Sequence, residues 1–147
     1  MNAAIERLQF SELQVSLREQ AEDVFPLLRD EQYLNALAEK WCQYAEFCTC
    51  RDDTGKLVGM IVFYANQLNS GIAYIPHVYV SSDYRGQKLF SKMYRKVEDF
   101  ILLKGFKKIT LEVNLDNRIA QIAYIKQGFS KSSLANEQSM YMSKQLI

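Results

Sequence analysis

The amino-acid sequence predicts a mixed α/β (α+β) fold with about four helices, and three observations support it. Strand-like runs joined by short turns occupy residues 45–80, which predicts an antiparallel N-terminal meander. A strand, a long amphipathic helix and a second strand then follow in residues 72–113, the order of a central βαβ crossover. Two further strand-like runs end the chain and predict a C-terminal hairpin.

The N-terminal segment is expected to be helical after an ambiguous start. Residues 1–15 fit either a frayed helix or a first strand. The Ser-Leu-Arg-Glu sequence at 16–19 has the form of a capping box, so a helix is expected to begin there and to break or kink at Pro26. Residues 31–44 are predicted to form a second helix, and its apolar face carries Leu34, Leu37, Ala38, Trp41 and Cys42.

From residue 45 the hydrophobic period becomes that of strands. Residues 45–51 are predicted to form a strand, and the Asp-Asp-Thr-Gly sequence at 52–55 is typical of a turn. The nearly continuous apolar run at 56–65 indicates a central strand covered on both faces. A turn at 69–71 then leads into the strand 72–80.

The crossover helix is expected from about Gln87 to Leu103, because an apolar stripe runs along it and Gly105 supplies a C-terminal stop. Residues 108–113 are predicted to form the second strand. The whole span 72–113 therefore has the size and order of a right-handed βαβ unit.

The C-terminal part is expected to contain one more helix and a hairpin. The helix runs from 117 to 127 and is stopped by Gly128, and the two strands are expected at 129–134 and 140–146. The sequence contains no internal repeat and no linker, so residues 1–147 are expected to form a single domain.

Composition narrows the class of protein. A formal net charge of +1 argues against a general nucleic-acid binder, because phosphate-backbone affinity needs a concentrated basic face. No apolar run approaches the ~20 residues of a membrane helix, and the N-terminus shows no signal sequence, so no membrane association and a cytoplasmic location are expected. The three cysteines form no Cys/His ligand set with the single histidine. Reduced, mostly buried thiols and no metal are expected.

The turn at residues 81–90 is the first candidate binding feature. A strand that feeds a helix through a tight turn aims several backbone N–H groups at one spot, where the positive end of the helix dipole adds to Arg85 and Lys88. Such a site suits a phosphate group, and we expect the pyrophosphate of a coenzyme.

A second candidate feature lies where the second crossover strand ends. Ligands of such sheets lie outside the carboxyl ends of the parallel strands, and the second of these ends is at residues 112–114. Asn117 can cap the following helix or donate a hydrogen bond to a ligand, and both roles can hold together. Tyr124 returns to nearly the same helix face seven residues later, where it either faces a ligand or fills the core.

Three motifs carry a resemblance to a known family: HVYV at 77–80, YRGQKLF at 84–90 and LEVNLDNRIAQIAYIKQGF at 111–129. With them the chain resembles the GNAT superfamily of acetyl-CoA-dependent N-acetyltransferases over most of residues 45–147. The resemblance implies a mixed sheet whose two parallel crossover strands splay apart, with acetyl-CoA as cosubstrate and a primary amine as acceptor.

The phosphate loop departs from the family pattern. That pattern, Arg/Gln-x-x-Gly-x-Gly/Ala, would place a glycine at position 88 and a glycine or alanine at position 90, where this chain has Lys88 and Phe90. Glycine is favoured because it permits unusual dihedrals and a close approach of the ligand. Lys88 is expected to be tolerated if its dihedrals are helical, and Phe90 to point into the core with Leu89 and Met93.

The resemblance also implies roles for individual residues. Tyr124 would be the general acid that protonates the departing CoA thiolate. The backbone around Tyr79 would bind the pantetheine arm as an added strand does, and the turn amides would hold the pyrophosphate. The implied coenzyme-binding residues are Val78, Tyr79, Val80, Arg85, Gly86, Gln87, Lys88, Leu89, Phe90 and Asn117.

A general base is expected because an alkylamine arrives mostly protonated at neutral pH. The candidates are His77 and Glu112. His77 has a suitable ordinary pKa, but a structural histidine is the alternative. Glu112 is either a carboxylate that faces the ligand or a solvated edge residue.

The resulting functional hypothesis is an N-acetyltransferase that acts by direct attack in a ternary complex, since no cysteine lies at the predicted site. A small-molecule amine is the expected acceptor, and a monomer or a homodimer the expected assembly. The alternative is a non-catalytic acyl-CoA-binding sensor or partner module of the same fold, and a turn that binds another nucleotide is a third possibility.

Overall fold

The computed structural model describes residues 1–86 and 88–147, within which seven strands form one mixed sheet and four α-helices occur. The helices are α1 Phe10–Asp23, α2 Glu31–Tyr44, α3 Leu89–Leu103 and α4 Arg118–Lys126. The strands are β1 Ala3–Glu6, β2 Glu46–Arg51, β3 Leu57–Tyr64, β4 Ile72–Val80, β5 Lys108–Asn114, β6 Ser130–Leu134 and β7 Ser139–Gln145.

The strand order in the sheet is β1-β2-β3-β4-β5-β7-β6, which confirms the predicted fold class. The chain divides into two compact units. The first unit comprises Met1–Phe63 and His77–Glu98, and the second comprises Tyr64–Pro76 and Asp99–Ile147. Strand β4 and helix α3 each pass from one unit into the other.

The first unit begins with a strand, which decides between the two alternatives for the N-terminus. Strand β1 pairs antiparallel with β2, from Ala3 opposite Cys50 to Glu6 opposite Phe47. The prediction that a helix begins at residues 16–19 was wrong. Helix α1 begins at Phe10, and the hydroxyl of Ser16 lies buried in its middle, where it accepts a hydrogen bond from the Gln20 side chain (3.1 Å) instead of from a backbone amide.

The predicted bounds of the second helix are confirmed. Asp30 caps α2, because its Oδ1 accepts hydrogen bonds from the backbone N–H groups of Gln32 (3.0 Å) and Tyr33 (3.2 Å). Pro26 begins a single 3₁₀ turn, Pro26–Arg29, between α1 and α2. A proline at this point ends α1, as expected.

Strand β3 is the central strand that its apolar run predicts. The seven residues from Leu57 to Phe63 are all buried, and β3 pairs antiparallel with β2. Gly59 lies against α3, since a Cβ atom at this position would come 3.0 Å from Cε of Met93. Helix α3 therefore packs closely on this part of the sheet.

The second unit contains the parallel pairing of the two crossover strands and the closing hairpin, both as predicted. The first four residues of β4 pair in parallel with β5, from Ile72 opposite Lys108 to Ile75 opposite Leu111. Strand β7 pairs antiparallel with β5, and β6 pairs with β7 at the edge of the sheet. Along β5, residues Ile109, Leu111 and Val113 are buried, and Glu112 between them is exposed.

Two further expectations concern α3 and the cysteines. The helix begins at Leu89 in the structure, whereas Gln87, where we expected it to start, lies outside the described residues. All three cysteines are free thiols; Cys48 and Cys50 are buried and Cys42 is half-buried.

Within residues 1–86 and 88–147, no helix is long and apolar enough to cross a membrane.

Candidate active site

The turn after β4 is anchored to the sheet of the first unit. The backbone N–H of Ser81 donates to the carbonyl of Val58 (2.8 Å), and a 3₁₀ turn, Ser82–Tyr84, follows. Gly86 has a φ of +80°, and a Cβ atom at this position would meet no heavy atom within 4 Å. The surface at Gly86 is therefore open to a ligand.

Lys88 adopts a left-handed backbone conformation. Its φ is +62°, and it is the one non-glycine residue with a positive φ among the described residues. The condition on which a lysine was expected to be tolerated here, helical dihedrals, is therefore not met. The turn places position 88 in the left-handed region, which glycine adopts without cost, and a lysine occupies that position under strain. The side chain of Lys88 is exposed, Leu89 is buried, and half-buried Phe90 lies with its ring 5.9 Å from that of Tyr94.

The guanidinium of Arg85 is engaged within the protein. Its Nε donates to the carbonyl of Val80 (3.0 Å), and its Nη2 lies 3.1 Å from Oδ2 of Asp23. The same carboxylate oxygen accepts hydrogen bonds from the Tyr79 hydroxyl (2.9 Å) and the Ser82 backbone N–H (3.2 Å). Sequence reasoning missed Asp23. Its position at the C-terminal end of a helix, where a negative charge is unfavourable, was the available signal.

His77 is held between aromatic rings. Its ring centroid lies 4.6 Å from that of Phe25 and 5.0 Å from that of Trp41, and its Nε2 is 2.6 Å from Oε1 of Gln20. Burial lowers the pKa of His77 to about 4, so the ring is neutral at neutral pH. Since the amide nitrogen of Gln20 donates to Ser16, its oxygen accepts, and the proton of His77 resides on Nε2. This environment is that of a structural histidine.

In the second unit, Glu112 has a defined orientation. Its Oε2 accepts a hydrogen bond from the hydroxyl of Ser139 (2.5 Å), a residue that is itself buried. Tyr141 lies directly opposite Glu112 in the register of β5 and β7. Burial raises the pKa of nearby Tyr74, and the negative charge of Glu112 adds to this effect. The carboxylate is therefore both exposed and positioned by a buried partner.

Helix α4 is fastened to the end of β5. Asn117 caps it, because its Oδ1 accepts a hydrogen bond from the backbone N–H of Ala120 (3.2 Å), which confirms the capping role. The side-chain amide of Gln121 donates to the carbonyls of Asn114 (2.9 Å) and Leu115 (3.0 Å). These bonds fix the start of the helix relative to Glu112, two residues before Asn114.

Tyr124 lies in the last two turns of α4 and is 9% exposed. Its ring centroid is 6.1 Å from that of Phe129, and its backbone carbonyl accepts from the N–H of Phe129 (3.0 Å). Gly128, at a φ of +99°, makes this chain reversal possible. Burial raises the pKa of Tyr124 to about 12, so the phenol carries its proton at neutral pH.

The predicted site residues thus form two groups. His77, the strand segment up to Val80 and the turn from Arg85 to Phe90 belong to the first unit, except that Gln87 lies outside the described residues. Glu112, Asn117 and Tyr124 belong to the second unit and are joined by the bonds between β5 and α4. Within the described part of the chain, no group of three or more His, Cys, Asp or Glu side chains is arranged to hold a metal ion.

Comparison with known proteins gives a family match. The model of the acetyltransferase (GNAT) family matches residues 11–129, which is most of the chain. No curated protein sequence matches this chain significantly.

Similar solved structures are acetyltransferases with low sequence identity. PaiA N-acetyltransferase from Thermoplasma acidophilum in complex with coenzyme A is 18% identical, with a TM-score of 0.77 and a match that covers 99% of each chain. The ribosomal-protein-S18-alanine N-acetyltransferase from Escherichia coli is 16% identical, with a TM-score of 0.73 and coverage of 98% of this chain and 94% of that one. Nourseothricin acetyltransferase is 23% identical, with a TM-score of 0.63, and the match spans 70% of this chain but only 66% of that chain.

Proposed function

Because the chain belongs to the acetyltransferase (GNAT) family, we propose that it transfers an acetyl group from acetyl-CoA to a primary amine within a ternary complex. The observation that carries this proposal is the buried, protonated phenol of Tyr124 on a helix fastened to the end of a parallel crossover strand. A proton donor at this place in the fold suits the departure of a thiolate.

The turn from Arg85 to Phe90 is proposed to hold the pyrophosphate, and the backbone of Val78, Tyr79 and Val80 the pantetheine arm. The open surface at Gly86 supports this assignment, because phosphate oxygens need close access to backbone N–H groups. The exposed ammonium of Lys88 adds a positive charge beside the N-terminus of α3. The solved relative with bound coenzyme A makes acyl-CoA the first ligand to test.

Tyr124 is proposed as the general acid. A thiol has an ordinary pKa of ~8.5, so transfer of a proton from a phenol with a pKa of about 12 is uphill in water. The same burial that raises the pKa of the phenol also destabilises a thiolate beside it, which reduces this difference. Proton transfer therefore has to accompany departure of the thiolate, as general acid catalysis does.

Glu112 is proposed as the general base in preference to His77. The carboxylate of Glu112 is exposed and oriented by Ser139, so it can accept a proton from an incoming ammonium group directly or through water. His77 is the weaker candidate because its ring packs between Phe25 and Trp41 and its Nε2 is already hydrogen-bonded to Gln20.

Direct attack is favoured over a covalent acetyl-enzyme. Burial raises the pKa of all three thiols, that of Cys48 to about 12, which leaves almost no thiolate at neutral pH.

The acceptor is proposed to be a small-molecule amine. The similar enzymes act on acceptors as different as nourseothricin and a ribosomal protein alanine, so a panel must include both classes.

A second candidate function is a non-catalytic acyl-CoA-binding module. Lys88 favours it, because a side chain where the family pattern has glycine can hinder the close approach of a phosphate while the fold is kept. Release of free CoA with a panel of amines separates the two functions. Coenzyme binding without turnover for any acceptor would support the module.

Substitution of Tyr124 by Phe tests the proposed function. We expect kcat to fall roughly 10²–10⁴-fold, because the proton donor is lost, while the Kd for acetyl-CoA changes little. Initial rates of CoA release with the best acceptor of the panel give kcat, and calorimetric titration gives the Kd.

Substitution of Tyr44 by Phe is the matched control, since this tyrosine is 55% exposed at the end of α2. We expect its kcat to equal that of the wild type. An unchanged kcat in Tyr124→Phe would show that Tyr124 is not the acid. Micromolar binding of ATP or NAD without binding of acetyl-CoA would overturn the proposed function as a whole.

A further inference from the structure

The turn that is proposed to bind pyrophosphate is held by a residue that lies far from it in the sequence. Asp23 is the last residue of α1, and its side chain is only 17% exposed. One of its oxygens, Oδ2, accepts from the Tyr79 hydroxyl at the end of β4, from the Ser82 backbone N–H and from the Arg85 guanidinium. Asp23 therefore contacts the strand end and both halves of the turn.

The position of Asp23 is unfavourable for α1 itself. A carboxylate at the C-terminal end of a helix is repelled by the helix dipole, and the last turn of α1 contains no basic residue. Burial alone would also raise the pKa of Asp23. The hydrogen bonds from Tyr79, Ser82 and Arg85 outweigh this effect and lower the pKa, so the group is a carboxylate at neutral pH. Asp23 thus stabilises the turn through these contacts, and it does not stabilise its own helix.

Arg85 completes the same structure. Its Nε donates to the carbonyl of Val80, which closes the chain from Val80 to Arg85 into a loop, and its Nη2 contacts Asp23. Part of its positive charge is neutralised by this contact. Arg85 therefore contributes to phosphate binding mainly through the shape of the turn.

We propose that Asp23 is a positioning residue that holds residues 81–86 in the shape that admits the pyrophosphate of acetyl-CoA. This inference rests on the proposed function. Asp23 itself touches neither the coenzyme nor the reacting atoms; it acts through Ser82 and Arg85. Its loss leaves the amides of the turn present but no longer preorganised, so binding weakens while the chemical step is kept.

The test compares Asp23→Asn with the neighbouring substitution Glu22→Gln. Asparagine keeps the shape and one acceptor oxygen but loses the charge that Arg85 faces. Glu22 is exposed, and its contact to Arg29 is long, at 3.9 Å, so Glu22→Gln is a matched control for removal of one negative charge at this helix end. We expect Asp23→Asn to raise both the Kd for CoA and the KM for acetyl-CoA about tenfold or more, with kcat within about threefold of wild type. Glu22→Gln should leave all three unchanged.

Asp23→Glu and a double-mutant cycle sharpen the test. The longer carboxylate should restore part of the affinity, and Arg85→Gln combined with Asp23→Asn should weaken binding less than the sum of the two single changes. An unchanged Kd in Asp23→Asn, or a fall in kcat without a change in Kd, would overturn the inference. Thermal unfolding of each variant identifies any that fails to fold.

Hydrogen exchange separates this inference from the proposed function. The Ser82 amide donates to Asp23, and alanine at this position removes the acceptor, so in the ligand-free protein the amide should exchange about tenfold or more faster in Asp23→Ala than in the wild type. If the wild type binds no CoA, the proposed function fails, and faster exchange at Ser82 still shows that Asp23 holds the turn. If exchange is unchanged, the positioning role fails whatever the ligand is.

Discussion

At the scale of single residues, buried polar groups of the first unit form hydrogen bonds with residues that are distant in the sequence. Gln20, at 0% exposure, joins Ser16 of its own helix to His77 of β4. A glutamine in a helical stripe with Leu13, Leu17 and Ala21 could have been recognised from the sequence as a buried polar residue that needs a partner. The identity of that partner could not, because 57 residues separate Gln20 and His77.

His77 should make the stability of the protein depend on pH. Its pKa is about 4 in the folded protein and has an ordinary value of 6.5, so the unfolded chain binds more protons between these values. The contribution of His77 is complete above about pH 7 and is lost as the pH falls toward 4. From these pKa values, the free energy of unfolding should drop by about 2 kcal/mol between about pH 7 and pH 5.

Urea unfolding of the wild type and of His77→Gln at the two pH values measures this effect. Other groups also titrate, so the quantity of interest is the difference between the two proteins. We expect the variant to lack about 2 kcal/mol of the pH-dependent loss. Equal losses in both proteins would mean that folding does not lower the pKa of His77.

At the scale of elements, the boundaries that sequence reasoning predicted best are those with strong local chemistry. Asp30 begins α2, the Asp52 carboxylate closes the turn at 52–55 by accepting from the Thr54 and Lys56 amides, and Gly128 ends the reversal after α4. The start of α1 was missed because the N-cap residue, Gln9, makes no side-chain cap hydrogen bond. In addition, the Ser-Leu-Arg-Glu sequence inside the helix matches the capping-box pattern although it does not cap the helix.

The turn between β4 and α3 should become more stable when Lys88 is replaced by glycine. A left-handed conformation costs a non-glycine residue about 1–2 kcal/mol, whereas glycine adds about 0.5–1 kcal/mol of unfolded-chain entropy relative to alanine. The difference leaves a net gain of up to about 1.5 kcal/mol for Lys88→Gly, measured by urea unfolding.

Lys88→Ala is the control for this prediction, since alanine removes the same ammonium group but keeps the Cβ atom and the strain. It should give no gain in stability. Both variants lose the positive charge, so any difference between them in acetyl-CoA affinity reports the shape of the turn. A destabilised Lys88→Gly would show that the positive φ carries no strain.

At the scale of the whole molecule, the fold class follows from the order of hydrophobic periods. Along the chain, segments of helical spacing come first, strand-like runs follow, and one strand–helix–strand unit comes after them. This order is compatible with only a few sheet topologies, and the parallel pairing of β4 with β5 was predicted on that basis. The assignment of Tyr124 and Asn117 rested on the motif from Leu111 to Phe129. The anchoring of the turn by Asp23 could not be predicted, because it joins segments 62 residues apart through tertiary contacts alone.

At the same scale, the proposed direct transfer can be tested through the three thiols of the chain, because they are the candidate cysteine nucleophiles. Cys48 and Cys50 are 0% exposed, and the thiol of Cys48 donates to the Met93 carbonyl (3.5 Å). Half-buried Cys42 donates to the Leu8 carbonyl (3.7 Å). Burial raises the pKa of each thiol, so none is an activated nucleophile.

Initial rates should therefore give intersecting double-reciprocal plots for acetyl-CoA and the acceptor, as a ternary complex requires. Treatment with iodoacetamide at about pH 8 should leave activity intact and label Cys48 and Cys50 only after unfolding, because thiolates react and buried thiols of raised pKa form few of them. Mass spectrometry locates the label, with urea-unfolded protein as the positive control. Parallel plots, together with an acetyl group found on a cysteine before the acceptor is added, would establish the covalent route instead.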